Sequence, residues 1–421
     1  MTRWTIATAA VATHLCLGSV YAWSVFVAPI QKVTGWTQPQ LTWAFSFAIA
    51  TLGLTAALGG PLLQRLGPRK SVGVAATLFG VGMVGAGFAV MQHSLVMLYL
   101  LFGVVGGMGL GMAYAPPVAA LLKWFPDRKG LATGIGVCGF GLGALVATKV
   151  AEPMLGSSLG CVGTFYVLGV AYLVVMFVAS RFLALPPEDW RPTVEGEGWR
   201  SGAAAALTEE SATVGQALGS LRFWLLWLLF YINICAGILF LALAKPMGKD
   251  VAHLTEGQGM WLVAIMGLFN GGGRLAWSVA SDRLGRTLTF GVMLSLQVAL
   301  FVILAKGPTA FWFMGCIWLI VSCYGGGFAI TPAFLADMFG SRNTGTIYGA
   351  ILTAWGAAAL SSPALGAHLK EVTHGYGGTL YVLAGALLLA WVVNVLLWRC
   401  TRKTQGNDIE QRRTESVAVA H

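Results

Sequence analysis

The chain has 421 residues, of which 57% are hydrophobic and only 10% are charged, and its formal net charge is +10. Soluble domains carry about 25% charged residues, so this composition excludes a soluble enzyme or binding module and indicates a polytopic membrane protein. The positive residues sit in alternate loops rather than on one soluble domain, which argues against nucleic-acid binding.

The side chains that catalysis or metal binding would need are scattered. The seven cysteines fall mostly within apolar runs and show no CxxC or metal-ligand spacing, so we interpret them as small buried hydrophobes. No nucleophile and base recur at a consistent depth. The sequence therefore predicts no metal, no cofactor and no enzymatic activity.

Apolar runs long enough to cross about 30 Å of hydrocarbon as helices recur along the chain. The first run resembles the core of a signal peptide, but it continues past the usual length of about 7–15 residues, which indicates an uncleaved first span. The predicted spans are 5–31, 39–63, 71–92, 95–122, 130–152, 162–184, 221–248, 258–280, 287–305, 309–336, 344–368 and 379–398.

These spans predict an all-α fold of twelve transmembrane helices in two six-helix halves. We expect the first half at 1–184, a hydrated cytoplasmic linker at 185–220, the second half at 221–399 and a polar cytoplasmic tail at 400–421. The linker assignment rests on its Pro-Pro-Glu-Asp, Glu-Gly-Glu-Gly and Thr-Glu-Glu-Ser segments, which cannot bury a core.

Positive residues also orient the predicted bundle. Nineteen Lys and Arg residues lie at one set of helix ends and five at the other. By the positive-inside rule the richer side faces the cytoplasm, so both termini and the linker are predicted to be cytoplasmic. We expect a monomer in the plasma (inner) membrane, with the lipid bilayer as its surroundings.

The eighth span carries an arginine at membrane depth. Arg274 follows three glycines and lies about 12 Å along the helix from Asp282. A charge there costs at least about 2.5–3.5 kcal/mol, so it needs a counter-ion or a water-filled cavity. No predicted span places an acidic residue at the same depth, which favours a bound anion as the partner. Snorkelling, or satisfaction by helix carbonyls, is the alternative.

The two halves repeat each other. Residues 62–67 match 280–285, and 124–128 match 338–342. Three spans plus three more return the chain to the same side, so the repeat has parallel topology, and such halves place a substrate site at their interface near the midplane. By this match Arg274 corresponds to Ala56 and Asn270 to Leu52, so the polar pair exists in one half only.

The loop motif G-x-x-x-Q-R-x-G-x-R-K at 60–70 and its echo S-x-x-x-D-R-x-G-R at 278–286 resemble the major facilitator superfamily. The first copy has Gln64 where the family usually has Asp, which weakens the expected charge relay there. The resemblance implies gating or loop-shaping roles for Arg65, Gly67, Arg69, Asp127, Arg128, Asp282, Arg283 and Arg342.

Three further features resemble the oxalate:formate antiporter and monocarboxylate transporter families. They are GSVYAWSVF at 18–26, LKWFPDRKG at 122–130 and Arg274 in the eighth span. The resemblance implies that Arg274 binds substrate carboxylate. The antiporter type has a second cation, a lysine, where this chain has Trp355. Animal-type monocarboxylate transporters have Asp where this chain has Asn270 and Lys near Val25, so the charge set is simplified.

The pocket is predicted around Arg274. Asn270 lies four residues earlier on the same helix face, where its amide can orient the guanidinium or hold a hydroxyl, unless a neighbouring helix satisfies it. Tyr114 and its repeat mate Phe328 should face the interface from opposite sides, with Tyr324 one turn before Phe328. A phenol can donate to a carboxylate while its ring excludes water, although each aromatic is equally compatible with packing.

The first span offers two more side chains on one face, Tyr21 and His14, seven residues apart. His14 is a candidate proton carrier, with plain hydrogen bonding in a helix interface as the alternative. Phe140 and Trp355, repeat mates in the fifth and eleventh spans, are candidate apolar walls.

These residues predict a secondary transporter of small, lactate-like monocarboxylates that works by alternating access. Proton symport is favoured because an inside-negative potential opposes anion uptake by about 2.3 kcal/mol per charge per 100 mV. The first alternative is an organic anion antiporter of the oxalate/formate kind. The second is a membrane receptor or sensor that kept the fold without transport.

Overall fold

The structure, a computed structural model, describes residues 2–187 and 211–419, with side chains described up to residue 401. Most of the predicted linker and tail therefore lies outside the described side chains. The described chain is helical, with α1 Arg3–Gly18, α2 Trp23–Thr34, α3 Gln38–Met91, α4 Leu95–Leu98, α5 Gly107–Trp124, α6 Lys129–Leu155, α7 Gly160–Phe182, α8 Val214–Leu218, α9 Leu221–Ala252, α10 Glu256–Leu284, α11 Arg286–Ala305, α12 Ala310–Phe339, α13 Thr344–Ile351, α14 Thr353–Thr373 and α15 Gly377–Val419.

Within the described ranges, ten helical stretches are long and apolar enough to cross a bilayer. One of them, α3, has 54 residues and counts as two spans, because at about 1.5 Å per residue it is more than twice as long as the hydrocarbon core is thick. Helix α10 has the right length but is less apolar, since it carries Asn270 and Arg274. Adding it gives the predicted twelve.

The turn between the second and third spans is a single residue. Gly67 has φ 71° and ψ 171°, while helical backbone continues on both sides of it. Glycine adopts this left-handed φ without the steric cost that a Cβ brings. The predicted gap between 63 and 71 is thus helical except at Gly67.

Two predicted spans are interrupted inside the bundle, whereas the fourth is continuous, since a π-helical stretch, Tyr99–Gly106, joins α4 to α5. The first breaks into a 3₁₀ turn at Ser19–Ala22, and the eleventh breaks at Leu352 between α13 and α14. At each break a hydroxyl donates back to the preceding turn: Ser19 Oγ to the Cys16 carbonyl at 2.7 Å and Thr353 Oγ1 to the Ala350 carbonyl at 2.7 Å. Such back-bonding competes with the helical ladder and bends helices.

The two halves meet along two seams. In the first, α6 packs on α10; in the second, α3 packs on α13 and α14. Gly141 and Gly271 bring the α6 and α10 backbones so close that a Cβ on Gly141 would lie 2.6 Å from the Gly271 Cα. Small residues thus allow the close helix approach on which membrane bundles depend. We call the end of the bundle at Gly67 and Leu284 the linker face, and the opposite end the far face.

Candidate functional site

Arg274 lies between the two halves, on the face of α10 that packs against α6. Its side chain is 0% exposed, and ten residues, about 15 Å of helix, separate it from Leu284. It neither reaches the bundle surface nor points at lipid. Snorkelling, the first alternative explanation for this arginine, is therefore wrong.

The guanidinium uses only part of its donor capacity. Nε donates to Asn270 Oδ1 at 3.2 Å, and Nη1 donates to the Tyr114 hydroxyl at 3.1 Å and to the Val137 carbonyl at 3.2 Å. Nη2 is buried and makes no hydrogen bond within the described residues. One helix carbonyl does satisfy part of the group, as the second alternative supposed, but it leaves one nitrogen without an acceptor.

No carboxylate among the described residues forms an ion pair with Arg274. Its charge instead lies between two aromatic faces, since Cζ is 5.3 Å from the Phe140 ring centroid and 4.9 Å from the Phe328 centroid. Cation–π contacts of this kind contribute about 2 kcal/mol when desolvated, which is less than the penalty of burying an unpaired ion. The site is electrostatically unbalanced by one positive charge.

Asn270 and Tyr114 hold the guanidinium in place. Asn270 is 1% exposed and accepts from Nε as an i,i+4 neighbour on the same helix. Tyr114, which is fully buried, reaches Nη1 from the other half of the molecule. The repeat mates of the polar pair, Leu52 and Ala56, are buried apolar residues, so the scaffold packs without a cation at the equivalent place.

A closed aromatic cluster surrounds the arginine. Trp355 contacts Phe140, Phe328 and Tyr114 with ring centroids 5.3, 4.7 and 5.3 Å apart. Its indole Nε1 is a buried donor with no acceptor in the described structure. At this position the second half therefore contributes a neutral donor to the cluster and no cation.

Tyr21 and Tyr324 form the far-face roof of this cluster. Their hydroxyls hydrogen-bond to each other across the two halves. Above them lies a cavity of about 390 Å³, which we call the outer cavity; Tyr21, Gln31 and Lys249 are among its lining residues. Tyr21 thus lines the outer cavity and also contacts Phe140 at 5.0 Å, next to the arginine.

His14 is fully buried one layer away. Its Nδ1 lies 2.9 Å from the Ala10 carbonyl, its ring packs edge-on against Tyr114 at 5.2 Å, and its Nε2 has no hydrogen-bond partner in the described part of the chain. With Nδ1–H donating to the carbonyl, the free Nε2 can accept a proton. The plain hydrogen-bonding interpretation explains only one of the two nitrogens.

The structure brings together all nine residues that the sequence singled out for the pocket or for proton transfer. It adds Tyr348, whose hydroxyl donates to the Phe328 carbonyl at 3.3 Å and whose ring lies 6.1 Å from Tyr114. Tyr348 precedes Trp355 by seven residues, the same spacing that linked His14 to Tyr21, and that signal was present in the sequence. The Val137 carbonyl had no sequence signal, because it is a backbone group.

Charged residues close the α6–α10 seam at the linker face. Asp282 accepts from the first free backbone amides of α6, Gly130 N and Leu131 N, both at 2.9 Å. A carboxylate at a helix N-terminus also interacts favourably with the helix dipole. Arg286 joins Asp282 at 2.7 Å to Asp337 at 2.9 Å.

A fourth charge completes this group: Lys129 donates to Asp337 at 3.0 Å across the seam. Lys129, Arg286 and Asp337 were missing from the predicted gating set, although Lys129 and Arg286 lie within the two loop motifs; Asp337 lies outside both motifs. On the other seam Gln64 interacts with Asn343 at 3.2 Å and Thr346 at 3.2 Å.

The remaining predicted loop residues lie at the same face. Asp127 pairs with Arg3 at 3.3 Å within the first half, and the Arg342 backbone amide donates to Ser211 Oγ at 3.4 Å. The others, exposed at the linker face, are Arg65, Arg69, Arg128 and Arg283. Their gating roles stay predictions.

A multi-pass bundle of two similar halves, closed around a buried cation, has the architecture of a membrane transporter. Residues 9–255 and 240–420 match the Major Facilitator Superfamily, and the chain belongs to that family.

Individual relatives agree with this assignment. The chain is 28% identical to the Uncharacterized MFS-type transporter YhjX of Escherichia coli, over 84% of this chain and 85% of that protein. It is 29% identical to the oxalate:formate antiporter of Oxalobacter formigenes, over 83% and 80%. It is 25% identical to monocarboxylate transporter 13 of Bos taurus, over 89% and 84%. A solved proton:xylose symporter, XylE, superposes with a TM-score of 0.73 at 15% identity, covering 94% of this chain and 95% of that one, which shows the fold.

Proposed function

We propose that the protein is a secondary transporter of small, lactate-like monocarboxylates, with Arg274 as the carboxylate-binding residue. The observation that carries the proposal is the unused Nη2 of a fully buried arginine that no carboxylate of the described chain neutralises. A bound carboxylate supplies both the missing acceptor and the missing negative charge. The guanidinium is always charged, so it offers a fixed fork.

The number of cations favours a monocarboxylate. One carboxylate balances Arg274, whereas a dicarboxylate would leave its second charge among Trp355, Phe140 and Phe328. The second candidate is an oxalate/formate-type organic anion antiporter, favoured by the similarity to the Oxalobacter formigenes protein. The resemblance to that family implies a second cation at the position of Trp355, where this chain has a neutral donor. A pocket with one cation supports a monocarboxylate as the substrate.

A proton is the proposed co-substrate. An anion alone would be driven out by an inside-negative potential, at about 2.3 kcal/mol per charge per 100 mV. His14 is the proposed carrier, because its free Nε2 is buried next to Tyr114, which itself binds Arg274. Protonated His14 together with a bound carboxylate would keep the occupied site at the same net charge as the empty one.

Alternating access gives the two faces their roles. We assign the linker face to the cytoplasm of a plasma (inner) membrane protein, with both termini on that side and the monomer as the functional unit. The linker-face seams are closed by Asp282 and Gln64, and the outer cavity extends from the far face to Tyr21. This arrangement corresponds to a state that is open from outside as far as Tyr21, with Arg274 still shielded behind the Tyr21–Tyr324 hydrogen bond.

The deciding experiment is uptake of labelled lactate into proteoliposomes, with a panel of mono- and dicarboxylates as competitors. We expect competition by monocarboxylates and stimulation by an inward proton gradient. Uptake driven by internal substrate but indifferent to a pH gradient would overturn symport in favour of exchange. Binding without any transport would favour a receptor.

His14→Gln tests the proton route separately from substrate binding. The variant should retain exchange of labelled for unlabelled lactate, which needs no net proton movement, and should lose uptake driven by a pH gradient. Cys16→Ser, at another buried position of α1, is the matched control and should retain both activities. Equal pH-driven uptake in His14→Gln and wild type would remove His14 from the mechanism.

A further inference from the structure

The two seams differ in charge, although the repeat makes them equivalent. By the repeat match, Gln64 occupies the place of Asp282 and Lys123 the place of Asp337. Both carboxylates that close the α6–α10 seam are therefore absent from the corresponding positions of the α3–α13 seam. The first seam balances two carboxylates against Arg286 and Lys129.

The α3–α13 seam encloses a cavity instead, which we call the inner cavity. Its volume is about 60 Å³, and Gln64, Lys123 and Arg342 are among its lining residues. No acidic side chain of the described chain lines it. One water needs about 10–15 Å³ on this measure, so the inner cavity has room for a group of several heavy atoms.

Its two cations come from opposite halves of the protein. Lys123 lies in the last turn of α5, and Arg342 follows α12, close enough to repel Lys123 electrostatically. Lys123 is half-buried, so water screens this repulsion less than it would on an open surface. Unless an anion intervenes, the repulsion pushes the two halves apart where the seam must close.

We infer that the inner cavity binds a phosphate-class oxyanion between Lys123 and Arg342, and that the bound anion stabilises the closed α3–α13 seam. A phosphoryl group carries about −1.5 to −2 charges at pH 7, which matches the two cations, and its oxygens can accept from both walls at once. The site is separate from Arg274. Free phosphate on the linker side and the phosphodiester headgroup of an anionic lipid both present such oxygens; the diester carries one negative charge, so it would balance one of the two cations.

Thermal unfolding of the purified full-length chain in neutral detergent tests the site. Sodium phosphate, compared with sodium chloride at equal ionic strength, should raise the Tm saturably by at least about 2 °C. The rise should disappear in Lys123→Gln and Arg342→Gln and persist in Arg274→Gln. A second arm uses no free phosphate and compares the Tm in nanodiscs of phosphatidylglycerol with that in nanodiscs of phosphatidylcholine. The arm in which the Tm rises in a Lys123-dependent way identifies the source of the anion.

Gln64→Asp provides an internal substitute for the ligand. It restores the carboxylate that the other seam has, so it should raise the baseline Tm and abolish the response to phosphate. A flat wild-type response in both arms, or a response unchanged in both Lys123→Gln and Arg342→Gln, would overturn the inference. A response lost only in Arg274→Gln would also overturn it, by assigning the anion to the central site.

Discussion

The centre of the molecule and the α6–α10 seam at its linker face differ in how positive charge is balanced. Arg286 at the linker face has two carboxylate partners at 2.7 and 2.9 Å, whereas Arg274 at the centre has none in the described structure. Both halves of the molecule contribute side chains to the Arg274 site and to the charged group at the linker face. The difference agrees with the proposed function: charges are paired where they close the α6–α10 seam, and Arg274 is left unpaired where a substrate anion is proposed to bind.

Removing the unpaired charge tests this contrast most directly. Arg274→Gln should lower lactate uptake at least about 30-fold, because truncating one partner of a buried charge pair costs about 2–5 kcal/mol. Expression and Tm should be unchanged or improved, since an uncompensated charge is removed. Arg181→Gln, at an exposed arginine that stacks on Phe177, is the matched control and should transport normally. Wild-type uptake by Arg274→Gln would refute the anion site.

Pairing Arg274 with a carboxylate of the protein itself should also impair transport. Asn270→Asp places a carboxylate where the amide oxygen now lies 3.2 Å from Arg274 Nε, and the protein's own anion then competes with substrate. We expect the KM for lactate to rise roughly 10- to 100-fold. Asn270→Ala, which removes the orienting bond without adding charge, should raise it only about three- to tenfold. Equal KM values for the two variants would show that charge is irrelevant at this position.

Tyr114→Phe should have a smaller effect at the same site. The variant loses the 3.1 Å bond to Nη1 while keeping the ring and the Val137 contact, so we expect about a fivefold rise in KM, near 1 kcal/mol. Tyr348→Phe, an aromatic of the same cluster whose hydroxyl binds a backbone carbonyl instead, is the comparison. A larger KM effect in Tyr348→Phe than in Tyr114→Phe would contradict the assigned roles.

Weakening the ion pairs of the α6–α10 seam should make the linker face open more readily, without changing the affinity for lactate. Asp282→Asn removes the charge from a partly exposed seam, and such pairs contribute only about 0.2–1 kcal/mol. Cys138 is half-buried in α6, the helix whose first amides bind Asp282. We expect its labelling by an impermeant maleimide from the linker face to be two- to threefold faster, in protein whose other cysteines are serine. High salt should produce the same change in wild type and little in the variant. Slower labelling would show that Asp282 does not hold the seam.

Much of the fold and the central site was predictable from the sequence. Twelve long apolar runs have few alternatives in a bilayer, and an arginine among them, with no acid at its depth, favoured a buried site completed by an anion over a snorkelling side chain. The pairing of Asn270 with Arg274, and of Tyr114 with its repeat mate Phe328, could be predicted from the positions of these residues in the sequence. The cluster around Arg274 therefore contains every residue expected there.

Other features depended on three-dimensional contacts. The acceptor at Val137 is backbone, and the seam partners Lys129 and Asp337 come from helices far from Asp282 in the chain. The reversal at Gly67 uses one residue, and the helix breaks at Ser19 and Leu352 arise from local hydroxyl bonds. Hydropathy averages over windows much longer than these features, so it cannot resolve them.

The hydrogen bond between Tyr21 and Tyr324 has a kinetic consequence. The bond lies between the outer cavity and the arginine cluster, and Tyr21, which is half-buried and lines that cavity, can leave the fully buried Tyr324 by changing rotamer into the open space. Side-chain rotations take nanoseconds or less when unhindered, whereas separating two packed halves takes microseconds to milliseconds. Loading from the far face should therefore equilibrate many times before each crossing, and the slow opening at Asp282 and Gln64 should set the turnover rate.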